Sequence, residues 1–331
     1  MRAMQITEHT GPESALERSD VPEPEPWHSL APDHPGVVVD VRAAGVSFPE
    51  VLQTRGEYQI NPDLPFVPGS EVAGIVRSAP DDAEVAEGDR VAAFCMLGGF
   101  AEVAVAPSFF AFPLSEELDF AQGAGLILNY HTAWFALMLR GRLTEGETVL
   151  VHGAAGGVGT AVIQVAKGAG ARVIGVVSND EKERVAREAG ADDVVRSDGA
   201  WKDEAQELTG GGVDVVIDPV GGDRFTDSLR ALREDGRLVV IGFTGGSIPE
   251  VKVNRLLLNN TEVIGAGWGA YVLGRPDLTR EIGGEIGRLV GEGFVRPTVG
   301  ARYPLDRAGE ALALLDGRGA TGKVVLEVGE G

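Results

Sequence analysis

A glycine-rich turn between a β-branched strand and a helix constrains the fold of this 331-residue chain more than any other feature. The strand is Thr148–His152, the turn reads Gly153-Ala154-Ala155-Gly156-Gly157-Val158-Gly159, and the helix is predicted to begin at Thr160. Glycines let a backbone turn sharply and approach a pyrophosphate, whose charge is met by amide groups and by the positive dipole at the helix start. The turn therefore predicts a dinucleotide site, with contacts from Ala155, Gly156, Gly157 and Val158.

The turn departs from the usual dinucleotide fingerprint at one place. Ala154 stands where the first glycine is expected, and a glycine comes one position earlier. A glycine-rich turn can also be only a tight connection between a strand and a helix. The strand before it and the helix after it favour the cofactor site over that alternative.

Three more β-branched runs follow the turn, separated by helical segments. They are Arg172–Val177, Val213–Asp218 and Arg237–Gly242, and each reads as a buried parallel strand. Repeated strand–helix–strand units predict a doubly wound parallel sheet. Thirteen of the 18 prolines lie before residue 114 among short valine-rich runs, which is typical of irregular β-structure. The predicted fold class is α/β, with a β-rich domain and a doubly wound parallel-sheet domain.

Composition argues against several classes of partner. Apolar residues make up 44% of the chain and charged residues 24%, and no apolar run approaches the about 20 residues of a membrane span. The formal net charge of -21 repels polyanions, so neither nucleic acid nor an anionic membrane surface is expected as a partner. Cys95 is the only cysteine, which argues against a disulfide within the chain and a multi-cysteine zinc site. These features favour a cytoplasmic protein.

The loop after the second strand indicates which nucleotide the turn binds. An NAD site has a carboxylate about 20 residues after the glycines, where it accepts hydrogen bonds from the ribose, but Val177 stands there in this chain. The loop offers groups that suit a 2′-phosphate instead, which favours NADPH: Ser178, Asn179 and Lys182. The acidic neighbours Asp180 and Glu181 leave an alternative open, because their charges can repel that phosphate.

Four motifs in order resemble the medium-chain dehydrogenase/reductase superfamily over nearly the whole chain. They are Ala43-Ala44-Gly45-Val46-Ser47-Phe48-Pro49-Glu50, Leu64-Pro65-Phe66-Val67-Pro68-Gly69-Ser70-Glu71-Val72-Ala73-Gly74, the glycine-rich turn, and Gly322-Lys323-Val324-Val325-Leu326. Within the superfamily the chain is similar to the zinc-free quinone oxidoreductases related to zeta-crystallin. The resemblance implies a catalytic GroES-like domain of residues 1–125 and 266–331, and a Rossmann domain of residues 126–265.

The resemblance also bears on metal binding. In the zinc alcohol dehydrogenases of the superfamily a cysteine stands at Ser47, a histidine at Ser70 and a second cysteine at Asn129, and this chain has none of them. Hydroxyl and amide side chains are poor replacements for these zinc ligands. We therefore expect no metal, and an acceptor that is already electrophilic without a Lewis acid.

Single residues acquire expected roles from the resemblance. Tyr58 matches a tyrosine that lines the substrate cleft, and Ser47 stands where this branch commonly has an asparagine; either is expected to donate a hydrogen bond to the acceptor oxygen. Tyr58 can alternatively be a packing aromatic residue in its loop. A family tyrosine on the adenosine side is missing at Ser197. Further cofactor contacts are expected from Thr132, Gly242, Phe243 and Arg318.

The resemblance implies an NADPH-dependent enzyme that passes hydride to a quinone or a related conjugated carbonyl. One alternative is an enoyl reductase that acts on an enal, an enone or an acyl-thioester. An alternative of another class is a cofactor-binding protein with little turnover. Relatives pair the sheets of their nucleotide domains edge to edge, so a homodimer through a last strand at Glu262–Gly267 is also expected.

Overall fold

The computed structural model describes residues 1–28 and 31–329. These residues form two compact units. The first unit contains the described residues of Met1–Leu128, the segment Val272–Gly284 and the described residues from Pro297 onward. The second unit contains Asn129–Tyr271 and Glu285–Arg296. The boundaries expected from the sequence, at 125/126 and 265/266, remain a proposal.

The regular elements are numbered in chain order. The strands are β1 (Arg2–Ile6), β2 (Leu16–Asp20), β3 (Trp27–His28), β4 (Ala31–Val46), β5 (Glu71–Ser78), β6 (Arg90–Phe94), β7 (Val103–Pro107), β8 (Ala111–Pro113), β9 (Thr148–His152), β10 (Arg172–Val177), β11 (Asp193–Arg196), β12 (Val213–Asp218), β13 (Leu232–Val240), β14 (Glu262–Gly265), β15 (Val299–Pro304) and β16 (Lys323–Glu327). The α-helices are α1 (Phe48–Gln53), α2 (Phe120–Gly123), α3 (Thr132–Trp134), α4 (Gly157–Gly168), α5 (Asp180–Glu188), α6 (Trp201–Thr209), α7 (Phe225–Ala231), α8 (Asn254–Asn259), α9 (Trp268–Val272), α10 (Pro276–Gly291) and α11 (Ala308–Asp316).

The first unit is built around an irregular sheet. Its strand order is β15-β16-β4-β5-β6-β8, with β3 and β7 also pairing with β4, while β1 and β2 form a separate two-stranded sheet. Small and β-branched side chains fill its core, among them Val39, Val72 and Val91. Such side chains pack well between the pleated faces of short strands. The expected β-rich, GroES-like domain is confirmed.

The second unit contains a six-stranded sheet in which all neighbouring strands run parallel. The strand order β11-β10-β9-β12-β13-β14 is that of a doubly wound dinucleotide fold, and the order reverses between β9 and β12. Ligands of such sheets bind beyond the carboxyl ends of the strands at this reversal. The predicted parallel-sheet Rossmann domain, and with it the α/β fold class, is confirmed.

The predicted bounds hold where the strands are buried on both faces. The strands β9, β10 and β12 begin and end at the predicted residues. The prediction Arg237–Gly242 was wrong at both ends, because β13 runs from Leu232 to Val240. The register between β12 and β13 shifts near the start of both strands. The polar residues of β13 that precede Arg237 are accommodated at this irregularity. Among residues 1–28 and 31–329, no helix combines the length and the apolarity that crossing a bilayer requires.

Candidate functional site

The glycine-rich turn has the backbone geometry that a phosphate site needs. Gly153 has a φ of 60°, in the left-handed region that favours glycine. The helix α4 begins at Gly157, and a Cβ atom at Gly159 would lie only 2.1 Å from the carbonyl oxygen of Gly153. The turn and the first helical residues can therefore approach each other only because Gly159 has no side chain.

This geometry also explains why the fingerprint tolerates Ala154. The left-handed conformation occurs at Gly153, one residue earlier, and Ala154 is buried against β10, with its backbone N–H donating to Val176 O at 3.3 Å. The first amides of α4, at Gly157 and Val158, have no partner within the helix because they belong to its first turn. These amides can meet a phosphate charge, helped by the helix dipole.

The loop after β10 contains the three residues expected to bind a 2′-phosphate. Ser178 is exposed, and Asn179 is the N-cap of α5, with its Oδ1 accepting a hydrogen bond from the backbone N–H of Lys182 at 2.9 Å. The cap occupies the oxygen of the Asn179 side chain, which leaves the amide NH₂ as the group able to donate to a phosphate. Lys182 lies in the first turn of α5, so all three residues surround the start of this helix.

Arg196 is a residue at this loop that the sequence analysis did not single out. It ends β11, directly opposite Val177 of β10 in the parallel register. Its Nη2 lies 2.5 Å from Asp180 Oδ1 and 2.6 Å from Glu183 Oε2. Within the described chain these contacts use Nη2 alone, so Nε and Nη1 remain as donors. Arg196 therefore offsets the charge of Asp180, one of the two acidic residues expected to repel a 2′-phosphate, while the other, Glu181, forms no hydrogen bond or ion pair with this arginine.

The ends of β12 and β13 complete this edge of the sheet. Asp218 ends β12, and its Oδ1 accepts backbone hydrogen bonds from Val220 at 2.8 Å and Gly221 at 2.9 Å. Burial raises the pKa of this carboxyl, while the two backbone hydrogen bonds oppose the rise. Phe243 is partly exposed and packs against Gly221, and Gly242 precedes it. Both expected contacts thus follow the carboxyl end of β13, although they lie in the loop rather than in the strand.

Three further side chains of the second unit lie before or within the sheet. Thr132 is the first residue of α3, is buried, and belongs to a helix that packs against α4. Burial lowers the pKa of both His131 and His152 to about 3, so neither ring is charged near neutral pH. His152 Nε2 lies 2.8 Å from Ser228 Oγ. This contact is consistent with a hydrogen-bonding role for His152 rather than a role as a ligand.

In the first unit, Ser47 lies at the start of a buried polar network. It is the N-cap of α1, and its backbone N–H donates to Glu50 Oε2 at 2.8 Å. The hydroxyl of Ser70 donates to the other carboxyl oxygen of Glu50, Oε1. Glu50 is fully buried, so these two hydrogen bonds satisfy a group that cannot reach water.

Lys323 joins this network to a second buried carboxylate. The antiparallel register places Val324 of β16 opposite Val46 of β4, and Gly45 opposite Glu71 of β5. The Nζ atom of Lys323 consequently donates to Ser47 Oγ at 2.6 Å and to Glu71 Oε1 at 2.5 Å. The side chains of Lys323 and Glu71 are only 4% and 1% exposed, so this ion pair is shielded from water.

Gly45 gives this ion pair its space. A Cβ atom there would lie 2.2 Å from the carbonyl oxygen of Ala124, 2.7 Å from Glu71 Cγ and 2.8 Å from Lys323 Cε. No larger residue fits unless the backbone moves. The network of Ser47, Glu50, Ser70, Glu71 and Lys323 is hereafter called the buried serine–lysine network.

Two ionisable side chains of the first unit, Glu50 and Tyr58, have raised pKa values, which favours their protonated forms. Burial raises the pKa of Glu50, against the opposing effects of the Ser70 hydrogen bond and the Lys323 charge. Burial, and secondly the charge of Glu50, raise the pKa of Tyr58 above its ordinary value. Tyr58 therefore keeps its proton at neutral pH and can donate a hydrogen bond.

The side chains around Ser47 do not fit a zinc ion. Ser47 and Ser70 offer hydroxyl groups where zinc dehydrogenases have a thiolate and an imidazole. The ammonium group of Lys323, 2.6 Å from Ser47 Oγ, would also repel a second cation. Among the described residues, no group of three or more His, Cys, Asp or Glu side chains is arranged to hold a metal. Asn129, the third expected ligand position, belongs to the second unit.

The expected site residues thus divide between the units. The second unit brings together the turn, the loop after β10 and the loop after β13 at the carboxyl edge of its sheet. Ser47 and Tyr58 belong to the first unit. Arg318 also belongs to the first unit, in the turn after α11, where it has a φ of 57°. No role for Glu50, Glu71 or Lys323 was predicted from the sequence; a lysine inside the apolar strand motif was the signal that a buried partner exists.

Known proteins resemble both units of the chain. Residues 33–116 match a family model described as an alcohol dehydrogenase GroES-like domain, and residues 157–281 match one described as a zinc-binding dehydrogenase. Quinone oxidoreductase-like protein 2 of Bos taurus is 39% identical over 297 residues, which cover 88% of this chain and 85% of that protein.

Solved structures agree over almost the full length. A probable oxidoreductase from Mycobacterium abscessus is 44% identical with a TM-score of 0.87, and the match covers 99% of both chains. The quinone oxidoreductase from Thermus thermophilus, solved also in complex with NADPH, is 34% identical with a TM-score of 0.82. That match covers 99% of this chain and 100% of the other.

Proposed function

Because this chain belongs to the quinone oxidoreductase-like branch of the medium-chain dehydrogenase/reductase superfamily, we propose that it is a zinc-free, NADPH-dependent reductase of a quinone or a related conjugated carbonyl. The observation that carries this proposal is the buried serine–lysine network. It puts hydroxyl groups and an ammonium group where the zinc enzymes of the superfamily hold their metal. An acceptor that needs no Lewis acid suits such a site.

The second unit holds the cofactor in this proposal. NADPH, when bound, supplies the hydride that reduces the acceptor. The glycine-rich turn and the start of α4 hold the pyrophosphate, and Ser178, Asn179 and Lys182 surround the 2′-phosphate. Thr132, Gly242 and Phe243 are proposed nicotinamide contacts. The relative from Thermus thermophilus, which was solved with NADPH, supports NADPH as the cofactor.

Residues of the first unit act on the acceptor. The hydroxyls of Tyr58 and Ser47 donate hydrogen bonds to the acceptor oxygen as negative charge builds there. A quinone that takes up one hydride and one proton from water becomes the hydroquinone, and NADPH becomes NADP⁺. The side chains therefore stabilise charge and orient the acceptor, while neither has to give up its own proton permanently.

A panel of acceptors tests the proposed function. NADPH oxidation is measured with 1,4-benzoquinone, 1,4-naphthoquinone, an enone, a 2-alkenal and an enoyl thioester, each against the rate without protein. The proposal predicts the highest kcat/KM with a quinone. A higher kcat/KM with the enoyl thioester would identify an enoyl reductase, and no turnover with tight NADPH binding would identify a cofactor-binding protein.

We expect the purified protein to contain no stoichiometric zinc. The hydroxyls of Ser47 and Ser70 are weak ligands, and the Lys323 ammonium group repels a cation at this place. Elemental analysis and activity after treatment with a chelator check this expectation. One zinc ion per chain, together with activity that is lost when the ion is removed, would overturn the zinc-free assignment.

We also propose a homodimer that forms through the end of the parallel sheet. In the described chain β14 pairs only with β13, so its other edge is open. Just before this strand, Leu257 and Leu258 of α8 are 77% and 75% exposed. Large exposed apolar side chains close in sequence to an open edge strand are typical of a surface that a second copy covers.

Light scattering checks the dimer. The wild type is expected to have twice the mass of one chain at micromolar concentration, and the double change Leu257→Asp with Leu258→Asp to give a monomer. The control is Leu208→Asp on α6, where the leucine is 38% exposed and remote in sequence from β14. A wild-type monomer, or an equal effect of the control, would contradict the proposed interface. The cytoplasmic location stays a prediction from the sequence.

A further inference from the structure

The buried serine–lysine network fixes the direction of a hydrogen bond. An ammonium group carries only donors, so the 2.6 Å contact between Lys323 Nζ and Ser47 Oγ must have Ser47 as the acceptor. The hydroxyl hydrogen of Ser47 is then directed away from Lys323. Within the described chain this contact is the one hydrogen bond of Ser47 Oγ to another side chain.

The two carboxyl groups nearby have other donors. Glu50 accepts from the backbone N–H of Ser47 and from the hydroxyl of Ser70, and Glu71 accepts from Lys323 and from the backbone N–H of Leu128 at 2.9 Å. Among the described residues, Ser47 Oγ forms no hydrogen bond with either carboxyl. The Ser47 hydroxyl is left as a donor for a group outside the protein.

We propose that Lys323, held by Glu71, is a positioning residue that makes the Ser47 hydroxyl a strong donor to an oxyanion on the acceptor. This inference rests on the proposed function, since it assigns the acceptor oxygen to Ser47. The ligand class it predicts is an aromatic or enolic oxyanion, the form that a quinone or an enone takes after it accepts hydride. A positive charge beside Ser47 Oγ draws electron density from its O–H bond and strengthens the bond that the hydroxyl donates.

The packing and burial of the buried serine–lysine network are those of a site built to hold Lys323 beside Ser47. Gly45 has no side chain where a Cβ atom would meet both Glu71 and Lys323, and Glu71 accepts a second hydrogen bond from the same ammonium group that contacts Ser47. The pair is more than nine-tenths buried, so its charges are not screened by water. A purely structural role would require only the ion pair; the additional contact to Ser47 Oγ connects it to the proposed donor.

Binding of 4-nitrophenolate tests the inference without depending on turnover. The absorbance of this probe reports both its binding and whether it is bound as the anion. Four proteins are compared: the wild type, Ser47→Ala, the double variant Lys323→Met with Glu71→Gln, and the triple variant that combines all three changes. The double variant removes the Lys323–Glu71 ion pair as a whole, so neither partner of the pair is left buried and unpaired.

We expect the wild type to bind the anion, and Ser47→Ala and the double variant each to weaken binding by about tenfold, as for the loss of one charge-assisted hydrogen bond. The triple variant should bind no more weakly than Ser47→Ala, because Lys323 acts through a hydroxyl that is already absent. The control is Lys167→Met with Asp192→Asn, which removes the exposed pair that Lys167 Nζ forms with Asp192 Oδ1 at 2.8 Å and should leave probe binding unchanged.

Several results would overturn the inference. The first is a wild type that does not bind the anion, and the second is variants that bind it as well as the wild type does. The third is a triple variant that binds the anion more weakly than Ser47→Ala by the same factor by which the double variant binds it more weakly than the wild type. The acceptor panel tests the proposed function separately. A chain that binds the phenolate through Lys323 and Ser47 but reduces no acceptor would refute the function and leave the inference in place.

Discussion

Replacing Lys323 alone with methionine is expected to lower the free energy of unfolding by about 3–5 kcal/mol. The change leaves the carboxylate of Glu71 buried at 1% exposure without its ammonium partner, and such a charge cannot be hydrated in the folded state. The shift of the urea unfolding midpoint at neutral pH measures the loss. The additional change Glu71→Gln should restore most of it, since it removes the orphaned charge.

Lys167, whose side chain is 32% exposed, provides the matched control for this prediction. It pairs with Asp192 at 2.8 Å on the surface, so Lys167→Met should cost less than about 1 kcal/mol. If Lys323→Met were no more costly than Lys167→Met, the buried pair would not contribute as the structure indicates. If Glu71→Gln deepened the loss, the damage would come from packing around Gly45 rather than from an unpaired charge.

The second large effect concerns the cofactor. NADPH is expected to bind at least tenfold more tightly than NADH. Each good hydrogen bond to a charged phosphate contributes about 1.5–3 kcal/mol before desolvation, so two of them suffice for this preference. The double change Lys182→Ala with Arg318→Ala should weaken NADPH and scarcely change NADH. Fluorescence titration of both nucleotides against both proteins measures the preference and its loss.

Arg196 sharpens the cofactor prediction. Its contacts with Asp180 and Glu183 offset two of the three acidic charges in the first turn of α5, so Arg196→Met should also weaken NADPH selectively. The control is Arg184→Met on the same helix, where the arginine pairs with Glu188 at 2.8 Å and both side chains are more than half exposed. The wild type could bind the two nucleotides with equal affinity, or the variants could lose equal affinity for both. Either result would show that repulsion by the acidic residues at the start of α5 outweighs attraction of the 2′-phosphate.

The sequence predicted those strands of the fold whose residues form a continuous apolar, β-branched run. The strands β9, β10 and β12 are short β-branched runs buried on both faces, so their bounds could be predicted from the residues alone. The strand β11 is only four residues long and begins and ends with charged residues, so no apolar run marks it. Arg196, the last residue of that strand, was missed for the same reason.

The candidate site was less accessible to sequence reasoning because it depends on the register between strands distant in sequence. Ser47 and Lys323 are 276 positions apart, and only the antiparallel pairing of β16 with β4 brings them together. The glycine-rich turn, by contrast, is continuous in the chain, and its predicted strand-to-helix context is confirmed. Whether the expected residues contact NADPH or an acceptor stays a prediction, since it depends on groups outside the chain.

The most direct test of the central claim is steady-state oxidation of NADPH by chelator-treated protein with 1,4-naphthoquinone as the acceptor. The account predicts a saturable rate that requires both NADPH and the quinone, exceeds the spontaneous reaction, and does not rise when zinc is added. A rate no higher than the spontaneous reaction, or a rate that appears only after zinc is restored, would contradict it.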